Sequence, residues 1–339
     1  MSQAYQFYLS TLLVYFGVDI MACWALNLQL GVAGIVNFAF IMFQAVGAYT
    51  AAALTLGPSS GNGGFQQYIL GADLPFPIPI LAAGVVGALL SLVVGLVVLR
   101  RLRTDYQALV MLVISQIAVN VVQNQSELFN GSAGLSLVPQ PLASQLNLSA
   151  IDYQWFYVGL TFVICGLIYL VVHRITGSPL GRALRAVRDN EQAALALGRN
   201  VFGLRLLAFV VGGAIAAISG AVLVEFIGNW APGAWLYQET FVLLAAAVIG
   251  GSGNNFGAVV GALLVPVAFL EATRFLPEIP GHPGLIEPLQ WIIVGVLMLI
   301  FLWFRPEGIF PERRRTFPAT GRQLPAGGAK RGRPLESNE

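Results

Sequence analysis

Eighteen lysines and arginines punctuate this chain, and all but Arg274 fall in three stretches: Arg100 to Arg103, Arg174 to Arg205 and Arg305 to Arg333. Long apolar runs separate these stretches, and the loops alternating with them carry almost no basic residue. Membrane proteins keep their basic loops in the cytoplasm. The distribution therefore predicts an all-α, polytopic transmembrane helical bundle with the three basic stretches on one side.

The composition, 57% apolar against 10% charged, is far from the charged fraction of about 25% in a soluble domain, so no soluble catalytic domain is expected. Met1 to Tyr5 lacks the basic start of a cleavable signal peptide, so the first apolar run is expected to be retained. Cys23 and Cys165 lie within apolar runs, where burial is a better account than redox or metal chemistry. The net charge of +2 hides the asymmetry between sides, which orients the chain and does not imply nucleic acid.

At about twenty residues per crossing, the apolar runs are Phe7 to Leu28, Val32 to Leu56, Ile78 to Leu99, Tyr106 to Val122, Trp155 to Val172, Leu204 to Ile227, Trp235 to Ile249, Phe256 to Phe275 and Leu289 to Phe304. This predicts about eight to ten spans. An odd number puts the N-terminus outside, the C-terminus in the cytoplasm and Arg274 outside. Residues 1–310 form the membrane domain, 123–154 an external loop, 173–205 a cytoplasmic loop, and 311–339 a flexible basic tail that could bind membrane lipid.

Two Gly-interrupted stretches break the pattern, Asn27 to Phe38 and Ile249 to Gly257. Gly31, Gly34, Gly250, Gly251 and Gly253 are the expected hinges. Transporters often build a pathway from broken helices in corresponding positions of two halves; tight turns with close packing through small residues would look the same.

In the 173–205 loop, Ser178 is a candidate N-cap with Pro179 at the first helical position. Arg182, Arg185 and Arg188 recur every three residues as a basic ridge. Asp189 or Asn190 could cap a second helix from Glu191, stopped by Gly198. The pair could dock into a partner or lie on anionic lipid.

Gly181 to Leu197, followed by Gly198-Arg199-Asn200-Val201, resembles the cytoplasmic loop of branched-chain amino acid ABC transporter permeases. Further likenesses run in order along the chain: Gly31-Val32-Ala33-Gly34 leading into Gly47-Ala48-Tyr49-Thr50-Ala51-Ala52; Leu102-Arg103-Thr104-Asp105-Tyr106; Asn130-Gly131-Ser132-Ala133-Gly134-Leu135; Val248 to Gly253; and Arg305-Pro306-Glu307-Gly308-Ile309-Phe310. The chain is similar to the longer of that family's two paired permease types. It departs at Asn37-Phe38-Ala39-Phe40 and at Asn130, which bears on substrate more than on fold.

The resemblance implies the membrane subunit of an importer in the bacterial inner membrane, working with a homologous second permease subunit, two ABC ATPase subunits and a periplasmic substrate-binding protein. On that reading 173–205 couples ATPase movement to the helices, through Arg182, Arg185, Arg188, Asp189, Asn190 and Glu191. Lys330 is the only lysine and no phosphate-binding loop surrounds it, so ATP hydrolysis is expected on another chain.

Polar groups at membrane depth usually face a cavity or another helix. Gln116, Asn120 and Gln123 share one helical face, and Asn27, Gln29, Asn37 and Gln44 add amides near the first break. These amides could carry a zwitterion, or simply bond helices together. Asp19, the one acid well inside a span, is a pathway or pairing candidate; Arg274 is expected to pair with Glu271. No cofactor or metal is expected, since His173 and His282 lack a second ligand at metal spacing. Two other transport classes stay open: a urea or short-amide importer, and an ion-coupled secondary transporter using Asp19.

Overall fold

The computed structural model describes residues 3–58, 66–275 and 285–312; the rest of the expected tail, and His282, lie outside them. Each of the nine apolar runs contains a helix. In order the helices are α1 (Gln3–Leu26), α2 (Phe40–Thr55), α3 (Ile78–Arg101), α4 (Thr104–Asn124), α5 (Ser126–Phe129), α6 (Ala143–Leu146), α7 (Ala150–Gly177), α8 (Pro179–Asp189), α9 (Glu191–Ala196), α10 (Val201–Ile227), α11 (Tyr237–Gly250), α12 (Asn255–Ala262), α13 (Leu270–Arg274) and α14 (Ile286–Phe304). Seven helical stretches are long and apolar enough to cross a bilayer, and two shorter ones, Phe40–Thr55 and Pro288–Phe304, fill the remaining positions.

The core forms where α10 packs on α2 and α3. Small residues permit this, since lipid offers no hydrophobic drive and close backbone approach must supply the attraction. A methyl group at Gly47 or Gly87 would strike Ala217 of α10, and one at Gly220 would strike the backbone of Gln44. The outer faces of α3, α4, α7 and α14 expose Leu89, Val93, Leu109, Val163, Leu167 and Leu299, the surface expected against lipid or a neighbouring subunit.

The structure corrects several boundaries. The first helix continues past Leu28 as a π-helical segment, Asn27–Val32. The second expected span begins at Phe40 rather than Val32, because Gly34 turns the backbone to φ +71° and Asn37 accepts a hydrogen bond from the Ala39 N–H at 3.0 Å. The first break is thus the irregular stretch between those helices. The second lies between α11 and α12. The span from Phe256 is not one regular helix: Pro266 cannot donate to the ladder, and a second π-helical segment, Leu263–Phe269, absorbs it. One small sheet joins the loops at the end opposite the arginines, with β1 (Leu135–Ser136) antiparallel to β2 (Asn229–Trp230).

Candidate functional site

At the basic end, α8 and α9 fold back onto the bundle. Ser178 caps α8 by accepting from Leu180 and Gly181 N–H, and Asn190 caps α9 by accepting from Ala193 N–H at 3.0 Å. Leu184 and Val187 are buried beneath α8. Arg188 follows Leu184 by four residues and Gly181 by seven, so it shares their inward face. Its guanidinium donates to the Gly31 carbonyl, to Glu312 Oε2 at 2.9 Å and to Asp189 Oδ1 at 3.1 Å. Arg185 donates to the Thr176 carbonyl at 3.0 Å and forms an ion pair with Glu312. Burial works against the Arg188 charge, but hydrogen bonds and charge from Glu312 and Asp189 prevail and raise its pKa.

Glu312 ends a short segment that follows α14 and runs along the second break. Ile309 N–H donates to the Ile249 carbonyl at 2.9 Å and Phe310 N–H to the Gly250 carbonyl at 3.1 Å. The two breaks themselves touch. Asn27 Oδ1 accepts from the Gly253 N–H at 2.7 Å, Asn27 Nδ2 donates to Asn255 Oδ1 at 3.1 Å, and a methyl on Gly31 would strike the Gly253 backbone. Gly251 and Gly253, at φ +122° and +88°, let the backbone turn there. Arg188 therefore grips a node joining α8, both breaks and the segment that follows α14.

Toward the opposite end a cavity of about 480 Å³ opens between α1, α2, α10, α11 and the segment around Pro266. Tyr8, Glu271 and Arg274 stand at its outer rim; Asp19 and Gln44 line it deeper. From Tyr8 to Asp19 is roughly 16 Å along the helix axis at 1.5 Å per residue. Arg274 pairs with Glu271 at 3.3 Å, as expected. Asp19 lies within the electrostatic reach of Glu239, which lines the same cavity.

The predicted residues divide sharply. Asp19 and Gln44 meet in the cavity. Asn27, Gln29 and Asn37 do not: Gln29 donates to the Phe209 carbonyl at 3.0 Å and Asn37 donates to Gln29 at 3.0 Å, so these amides join helices. Gln116, Asn120 and Gln123 lie on α4, away from both sites, and Asn120 donates to the Gln116 carbonyl at 2.8 Å in its own helix.

Among the residues expected to couple, Arg182 is exposed and its side chain makes no hydrogen bond or ion pair among the described residues. Within the basic ridge, Arg185 and Arg188 turn toward the bundle and Glu312, because i+3 steps drift around a 3.6-residue helix. Glu191 pairs with Arg205 at 2.9 Å. Sequence reasoning missed Glu312, and it missed Leu195 and Leu197, which are 54% and 82% exposed. An apolar residue just before Gly198 was the available signal for Leu197; Glu312 had none.

The chain matches the family described as "Branched-chain amino acid transport system / permease component" over residues 8–302. It is 29% identical to the probable branched-chain amino acid transport permease protein LivM of Methanocaldococcus jannaschii, covering 90% of this chain and 94% of that one. It is likewise 29% identical to the high-affinity LivM permease of Escherichia coli, over 85% of this chain and 67% of that one. Similarity to the LivH permease of Methanocaldococcus jannaschii is lower, 24% over 88% and 90%. No solved structure matches. With its seven bilayer-length helices and a family match across most of its length, this multi-pass membrane protein belongs to the branched-chain amino acid transport permease family.

Proposed function

We propose that this chain is the longer of two homologous membrane subunits of an ATP-driven importer for branched-chain or other hydrophobic amino acids. It works beside that second permease, two ATPase subunits and a periplasmic binding protein, in the bacterial inner membrane with its N-terminus outside and its basic end in the cytoplasm. The LivM and LivH relatives, named as branched-chain amino acid transport permeases, support the substrate and the pairing.

The observation that carries the coupling role is the grip of Arg188 on the Gly31 carbonyl and Glu312. A push on α8 and α9 is handed to both breaks at once, because Gly253 packs against Gly31 and is held by Asn27. The ATPase docks on the outward residues Arg182, Leu195 and Leu197; Arg185, Arg188, Asp189, Asn190 and Glu191 hold the docking helices to the bundle. Desolvating exposed leucines supplies affinity, and Arg182 supplies orientation. The path enters by the cavity that Asp19 and Gln44 line.

The test is uptake by proteoliposomes containing the four components, with radiolabelled leucine, glutamate and urea, with and without internal ATP. ATP-dependent leucine uptake that needs the binding protein is expected. Urea uptake alone would move the chain to the short-amide importers. An ion-coupled secondary transporter is the second reading, favoured by Asp19, which makes no hydrogen bond or ion pair among the described residues. It requires uptake driven by an ion gradient in vesicles lacking the ATPases.

A further inference from the structure

We propose that the cavity between α1, α2 and α11 binds the primary ammonium group of an apolar amine, with Asp19 as its counter-ion and Gln44 as its hydrogen-bond partner. This deepens the transport reading and rests on it only for identifying the amine as an amino acid.

Two independent observations converge. The first is charge. Asp19 has no hydrogen bond or ion pair among the described residues and feels the field of Glu239. Arg274, the arginine that lines the cavity, is engaged by Glu271 at the rim, where Tyr8 Oη also donates to Glu271 at 2.9 Å. A carboxylate held in a low-dielectric site without a partner is costly, and a cation relieves that cost.

The second is Gln44. The residue is 4% exposed, lines the cavity, and makes no side-chain hydrogen bond among the described residues. A residue this enclosed usually has its amide paired; here the amide is unbonded and open to a ligand in the cavity. Trp230, on the same wall, likewise has a buried indole N–H without an acceptor.

The remaining wall selects the kind of cation. Ile41, Leu223, Val242, Leu243 and Val267 are apolar. A bare metal ion wants about six oxygen ligands, and the described residues hold no cluster of three or more acids, histidines or cysteines that could bind one. An ammonium has three donors, and an aliphatic body attached to it would cover the apolar residues. The volume of about 480 Å³ is within the range of roughly 300–1,000 Å³ typical of small-molecule sites.

The test places a thiol at the cavity wall by Thr11→Cys in the assembled complex, where both native cysteines are buried. The rate of modification by a membrane-impermeant methanethiosulfonate is measured with leucine, with isoamylamine, which keeps the ammonium and lacks the carboxylate, and with 4-methylpentanoate, which does the reverse. Leucine and isoamylamine should slow modification about tenfold, and 4-methylpentanoate should not. Asp19→Asn should abolish the protection by isoamylamine, as loss of a charge-assisted contact worth about one decade of affinity predicts. Gln44→Leu should weaken protection by both amines.

Equal protection by all three compounds, or protection by isoamylamine that survives Asp19→Asn, overturns the proposal. No protection in a complex that still imports leucine with ATP overturns it while leaving the importer reading intact. Ammonium-specific protection in a complex without ATP-driven uptake does the converse.

Discussion

Arg188 shows how a single side chain can look like a docking residue and act as a bolt. Repetition of arginine every third position reads as one ridge, but each step turns the residue about 60° around the helix. By Arg188 the ridge has rotated onto the face of Leu184, and the charge points at Gly31 and Glu312. Removing the acid tests this: Glu312→Gln should weaken the node by about 1.5–3 kcal/mol, the range for hydrogen bonds to charged groups. Thermal unfolding of the purified protein would register the loss, and uptake should fall while ATPase co-purification is unchanged. Leu197→Glu should do the reverse, stripping the ATPase from the complex without lowering the unfolding temperature. Loss of the ATPase in the Glu312 variant would mean that the arginines face the partner after all. At this scale the sequence left the choice open: Asn27 and Gln29 could line a path or bond helices together, and depth does not say whether a helix or a void lies opposite.

The helices were far more legible. Nine apolar runs and two Gly-rich interruptions could be read directly, because a span needs about twenty apolar residues and an interruption needs glycine. The caps Ser178 and Asn190 were also legible, since few residue types can accept the first free N–H groups of a helix. What escaped was the π-helical winding at Asn27–Val32 and Leu263–Phe269: one extra residue in a turn leaves no mark in an apolar pattern. The β1–β2 ladder escaped because two residues are too few to show alternation. Contact between the breaks yields a prediction of its own. A methyl group at Gly31 has the Gly253 backbone in its place, so Gly31→Ala must separate the breaks, and ATP-driven uptake should collapse by at least about tenfold. Gly159→Ala, on α7 where a methyl meets nothing, is the control and should be silent.

The whole molecule is organised by its two ends. One is basic and mechanical, holding the node of Arg185, Arg188 and Glu312; the other is neutral or acidic and hollow. The proposed orientation rests on the positive-inside rule and is checkable by thiol labelling of intact cells: Arg182→Cys should be shielded and Glu127→Cys modified by an impermeant reagent. The opposite pattern would overturn that orientation.

The partner of Arg188 at Glu312 lies 124 residues further along the chain. At translation speeds of about 5–20 residues per second, those residues take roughly 6–25 seconds to make. For that interval α8, α9 and the first break exist, the second break is added only partway through, and Glu312, which pairs with Arg188, comes last. The clasp thus closes late: a chain interrupted before Glu312 can insert its early helices, but Arg188 then lacks that acid to pair with.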